Sequence, residues 1–154
     1  MATITEVDIA AERAEIVREA LEWQGTHFQH RQQLKHVGCD CVTLLAAIYG
    51  AVLETQPILP AYQPDEWLHD PVERYAEALR VYFDEMGRAH PQPGDVVSFH
   101  FGRRQVSHCG VCVDADGGFV SATLESGRVE YAKITERYWS RRWTGTWRLK
   151  RWAL

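Results

Sequence analysis

Cys39, Asp40 and Cys41 stand together in the stretch HVGCDCVTLL, directly ahead of an apolar run that reads as a helix. Thiols in such a place can be metal ligands, halves of disulfides, or one nucleophile with a bystander. With Cys109 and Cys112 they form a C-x-C and a C-x-x-C, a superficial likeness to a four-thiolate metal site. The segment 108–113 reads as a strand, however, and alternation would send Cys109 and Cys112 to opposite faces. Zinc-binding C-x-x-C pairs sit on tight turns that aim both sulfurs at one ion, so neither a metal nor a cofactor is expected. Cys109 and Cys112 are read instead as small buried hydrophobes.

Cys41 falls at the expected first turn of the helix. Unpaired N–H groups and the helix dipole there favour a thiolate, and the same N–H groups can hold the oxyanion formed when a carbonyl is attacked. Cys39, still in the loop, gains less. A thiol nucleophile needs a base, and His108 opens the HCGVCV strand in the second half of the chain. Cysteine early on a helix with histidine later on a strand is the papain-like arrangement. Spacing alone is suggestive, since seven histidines offer several accidental pairs.

These residues need a scaffold, and 154 residues, 45% of them hydrophobic, suit one compact domain spanning 1–154 with a core that needs no disulfide staples. The net charge of -4 gives no general reason to expect nucleic acid. Basic residues do gather near the end, where Lys133, Arg137, Arg141, Arg142, Arg148, Lys150 and Arg151 face only Glu136; a solvated face is the favoured reading over a docking surface. The N-terminus lacks a cationic start followed by an apolar block, so no signal peptide is expected and synthesis in a reducing cytoplasm follows. No apolar run approaches the roughly 20 residues of a membrane span, and no membrane insertion is expected.

The first half reads helical. Ile9, Ala10, Ile16, Val17, Ala20 and Leu21 recur at helical spacing behind Thr5 or Asp8 as N-cap, with Arg13 inside that face sending its guanidinium to water. GTHFQHRQQLKHVG reads as a polar loop, and a buried helix should run from about Cys41 to Val52. ETQPILPAYQPDEW, with three prolines, reads as an extended connection. A third helix opens near Pro71, with Val72, Tyr75, Ala76, Leu79, Phe83 and Met86 as its stripe and Gly87 as its stop. The period then changes: PGDVVSF is a turn and a strand, three short strands break at DADGG and ESG, and TGTWRLKRW is a last strand. Helices first and a meander afterwards predict an α+β domain, its N-terminal helices packed on a small antiparallel β-sheet of about five strands. Trp139, Trp143, Trp147 and Trp152 are read chiefly as core, and His90 and His100 as surface residues.

LEWQGTHFQHR, VGCDCVTLLAAIYG, PGDVVSF and SHCGVCVDADGGFVSA, in that order, resemble the NlpC-type cysteine peptidases, most of all the small branch encoded among bacteriophage tail genes. The resemblance spans roughly residues 9–150. It implies a papain-like NlpC-type fold and hydrolysis of peptidoglycan stem peptides between γ-D-glutamate and a diamino acid, carried out at a phage or prophage tail tip during local wall penetration. The implied partners are the stem peptide and other tail-tip or hub proteins, and the implied place is the virion tail, delivered to the host wall. By position Cys41 matches the nucleophile, His108 the base, and Asp40 the acid that helps bind a substrate amine, with a helix N-cap as its plainer role.

Three positions depart from the family pattern. Ser121 takes the slot of the group that orients the imidazole, with Thr123 as a stand-in on the same face. Phe28 replaces a loop tyrosine near the thiol, a loss that His30 could offset. Thr43 stands where a glycine is usual and would crowd the site. Together they keep an alternative open, a weak or inactive structural subunit of the tail tip that docks through its basic, Trp-rich end. A thioester-forming acyltransferase on the same scaffold would need a lipid-accepting surface, for which the sequence gives no sign.

Overall fold

The computed structural model describes residues 3–57, 59, 73–102 and 105–154. Helix α1 (Glu6–Glu22) starts at Thr5, whose hydroxyl accepts from the Asp8 N–H while the Asp8 carboxylate takes the Thr5 N–H. Its buried face is narrower than expected: Ile16 and Ala20 are buried, Ala10 and Leu21 exposed. Arg13 also departs from expectation. Its guanidinium does not reach for water but donates to the Pro93 carbonyl at 2.8 Å and to Asp95 Oδ1 at 3.0 Å, and it lies 4.2 Å from the centroid of the Trp152 ring. Asp95 is fully buried and needs such partners; Arg148 supplies two more bonds, at 3.1 and 2.8 Å.

The segment expected to be a polar loop contains a small hairpin, β1 (Gln33–Leu34) with β2 (Gly38–Cys39). Helix α2 (Cys41–Leu53) follows at once and is buried almost throughout, as its apolar composition requires. The proline-rich connection and the expected start of the third helix, including Pro71 and Val72, lie largely outside the described residues. Helix α3 (Arg74–Tyr82) buries Tyr75, Ala76 and Leu79 but ends four residues early. Phe83, read as part of its stripe, opens strand β3 (Phe83–Glu85), because pairing with the last strand competes successfully with one more helical turn.

The remaining strands are β4 (Val96–Phe99), β5 (His108–Cys112), β6 (Gly118–Thr123), β7 (Arg128–Lys133) and β8 (Trp143–Leu149), with a short helix α4 (Arg137–Ser140) before β8. All pair antiparallel in the order β3-β8-β4-β5-β6-β7. The main sheet therefore has six strands rather than about five, the addition being β3.

Alternation along the strands gives the sheet two buried faces. One packs on α1 and α2 through Val96, Cys109, Val111, Val120, Ala122 and Val129. The other is covered by α4 and is built from Val97, Phe99, Phe119, Ile134 and Trp139. Trp147 and Trp152 belong to the core as expected, while Trp143 is half-buried. His90 is exposed, but His100 is half-buried with Nδ1 shielded from water, so it is not the surface residue expected.

Candidate active site

Asp40 is the N-cap of α2. Its Oδ1 accepts from the N–H groups of Val42 and Thr43, both at 2.9 Å, and its Oδ2 accepts from the Arg31 N–H at 2.7 Å. Thr43 does not crowd the site as expected. Its hydroxyl takes the Asp40 N–H at 2.8 Å, closing a capping box, and donates to the Gln32 carbonyl at 2.7 Å. The cap thus sets Cys41 at the first position of the helix. It also occupies two of the N–H groups expected to hold an oxyanion, those of Val42 and Thr43.

Cys41 is 9% exposed and lines a cleft of about 680 Å³. His108, Ser121, Asp40, His30 and Phe28 line the same cleft, so every residue expected at the site is brought to it. His108 reaches it from the start of β5, where it pairs across the sheet with Phe99. Continuing the β5–β6 register from Val111↔Val120 sets Gly110 opposite Ser121, which places Ser121 on the same face as His108. Glycine is required at 110: a Cβ there would stand 2.7 Å from both Phe119 Cδ2 and the Val120 carbonyl oxygen, and 3.0 Å from Ser121 Cβ.

Burial dominates the electrostatics. It pushes the Cys41 thiol up to about 12, helped by the Asp40 carboxylate and opposed by the Tyr75 hydroxyl and by backbone groups of Cys109 and Cys41. Burial alone lowers His108 to about 4. At neutral pH the resting pair is therefore thiol and imidazole, both uncharged. His108 Nε2 is buried with no hydrogen-bond partner among the described residues, and no bond joins Ser121 to the ring. The Thr123 hydroxyl is engaged with Ser126 in the β6–β7 turn.

Two residues at the site were not singled out from the sequence. Tyr75, read only as part of a core stripe, brings a hydroxyl to the sulfurs of Cys41 and Cys109 from outside the cleft. Trp139, read as core, stacks on His108. Neither contact has a local signature, since each joins segments far apart in the chain. The other cleft walls are Glu125, Glu130 and the aromatic rings of Phe101 and Tyr138, with the Tyr138 hydroxyl donating to Glu125 at 3.0 Å. All four cysteines are free and buried, and among the described residues no group of His, Cys, Asp and Glu could hold a metal ion.

The NlpC/P60 family model matches residues 19–148, a span that includes Cys41, His108 and Ser121. The chain belongs to the NlpC/P60 family. Solved structures agree in fold. An NLP/P60-family protein of Staphylococcus aureus, described as similar to lipoprotein, superposes with a TM-score of 0.66 at 18% identity, covering 96% of this chain and 43% of that one. NlpC1 of Trichomonas vaginalis gives 0.64 at 17%, over 89% and 43%. The peptidoglycan hydrolase RipB of Mycobacterium tuberculosis gives 0.60 at 15%, over 94% and 67%. This NlpC/P60 chain thus spans under half the length of the Staphylococcus and Trichomonas proteins. No curated protein matches its sequence.

Proposed function

We propose that this NlpC/P60 chain is a cysteine peptidase that hydrolyses peptidoglycan stem peptides at the bond between γ-D-glutamate and a diamino acid. The observation that carries the reading is one cleft lined by Cys41 at a helix start and His108 at a strand start. Glu125 and Glu130 on the same cleft suit the free amine of a diamino acid, and RipB is a peptidoglycan hydrolase of similar fold.

As the carbonyl enters, the Cys41 proton passes to His108 and the sulfur attacks, forming a tetrahedral oxyanion held by the Cys41 N–H. His108 returns the proton to the leaving amine, and a thioester remains. Water then attacks the thioester, giving its proton to His108, and the acid leaves as the thiol is restored. Starting from the neutral pair makes proton transfer part of the attack.

The motif set GCDC and HCG supports a setting at a bacteriophage tail tip, with other tail proteins as partners and the host wall as the place of action. A structural role at the tail tip is the second reading, favoured by the depth at which burial holds both Cys41 and His108 uncharged. Digestion of purified stem peptide containing γ-D-glutamyl-diaminopimelate, read by mass spectrometry beside Cys41→Ala, separates the two. Cleavage lost in the variant establishes the peptidase; no cleavage by folded protein favours the structural role.

A further inference from the structure

We propose that Trp139 is a positioning residue for His108: its indole face sets the plane of the imidazole and stabilises the imidazolium that forms during turnover. This rests on the peptidase reading of the cleft. The rings of His108 and Trp139 stack with centroids 5.6 Å apart and planes 24° apart. That lies within the distance at which an indole face attracts a cation.

Two more rings complete the enclosure, Phe101 nearly perpendicular to the imidazole at 5.6 Å and Phe99 tilted at 5.9 Å. Trp139 is itself fixed, by Phe99 at 4.7 Å and Phe119 at 5.1 Å between centroids. The imidazole is therefore held by aromatic packing, and no hydrogen bond from a third member to its buried Nε2 is found among the described residues. Ser121 lines the cleft without bonding the ring, and a short neutral hydroxyl could do little for an imidazolium. The indole face can do both things required of a third member. It blocks rotation of the ring by contact, and its negative quadrupole favours the charged form of a largely buried imidazole.

The charged and titratable groups that line the same cleft are Cys41 and Asp40 at the start of α2, His30 in the loop before it, Glu125 and Glu130 of the β6–β7 hairpin, and Tyr138 of α4. Arg142 stands behind Tyr138 and Phe101, 3.9 and 5.4 Å from their ring centroids. Truncating Trp139 would change the exposure of His108 as well as the stack, so the decisive test keeps the volume constant.

Fluorinated tryptophans of increasing fluorine number are placed at position 139 alone, and the His108 pKa is read by NMR titration of the full chain. Each fluorine withdraws electron density from the indole face, so the pKa should fall stepwise, by about half a pH unit or more across the series. Ser121→Ala should leave it unchanged. With stem peptide as substrate, Trp139→Leu should lower kcat by roughly tenfold with little change in KM, and Trp139→Phe should recover much of the loss. A pKa indifferent to fluorination, or one that moves with Ser121→Ala instead, overturns the proposal whether or not the protein cleaves peptide. A stepwise fall in a protein that cleaves nothing upholds the hold on His108 and defeats the peptidase reading instead.

Discussion

Asp40 and Thr43 cap the helix of the candidate nucleophile reciprocally. Asp40 Oδ1 accepts the Thr43 N–H at 2.9 Å, and the Thr43 hydroxyl takes the Asp40 N–H at 2.8 Å. The carboxylate that holds the helix start also sits beside the thiol and opposes its ionisation. Asp40→Ala should cost about 1 kcal/mol of stability through the lost cap, whereas Asp40→Asn keeps most of it. Both remove the charge and should let the Cys41 thiol ionise at lower pH. Denaturant melts and the pH dependence of iodoacetamide alkylation, read at Cys41 by mass spectrometry, check the two effects separately.

Tyr75 acts in the opposite sense. Its hydroxyl pulls the Cys41 pKa down against burial, so Tyr75→Phe should raise it further. Alkylation of Cys41 at a fixed alkaline pH should slow by roughly ten- to a hundredfold, the worth of a hydrogen bond to a charged group. An unchanged rate would show that the hydroxyl does not serve the thiolate.

Stability should fall on both sides of neutrality. The unfolded chain takes up a proton on His108 near the ordinary 6.5, while the folded chain resists until about 4. Between those values the unfolded state binds more protons, so stability is full above 6.5 and declines as the pH drops towards 4, by up to about 3 kcal/mol for this group. Above pH 9 the unfolded thiols ionise while Cys39, Cys41 and Cys112 keep their protons to about 12, so stability falls again as the pH rises. Denaturant titrations across pH test this, and His108→Phe should flatten the acid slope.

Gly110→Ala should destabilise the fold by about 1–3 kcal/mol, because the new methyl meets the backbone of Val120 at 2.7 Å. It also pushes against Ser121, so β6 must shift away from β5 beside the cleft. Thermal melts measure the cost, and altered NMR shifts at Ser121 should accompany it.

The sequence exposes the chemistry better than its neighbours. Cys41 and His108 carry local signals, a capped helix start and a strand start, and both are where those signals imply. Arg13 is different: its partner Asp95 is 82 residues away, and no periodicity within α1 can announce it. Phe83 fits the helical stripe of α3 as well as it fits a strand, and only its pairing with Leu149 decides. The hairpin at 33–39 is short and polar on one strand, so it lacks the alternation that marks longer strands. Two of the seven basic residues near the end are likewise paired, Arg148 with Asp95 and Arg151 with Glu12 at 2.7 Å, which no charge count reveals.

The strand order carries a consequence for synthesis. β8 comes last along the chain yet lies inside the sheet, between β3 and β4. While a ribosome is still making residues 143–149, β3 has no partner in the sheet and β4 lacks its neighbour on one side. α4, with Trp139, also follows His108 along the chain. Cys41 and His108 are therefore translated before Trp139, which stacks on the imidazole, and a half-made chain has a thiol but no finished cleft. Until β8 is made, the sheet beside the candidate site lacks one of its inner strands.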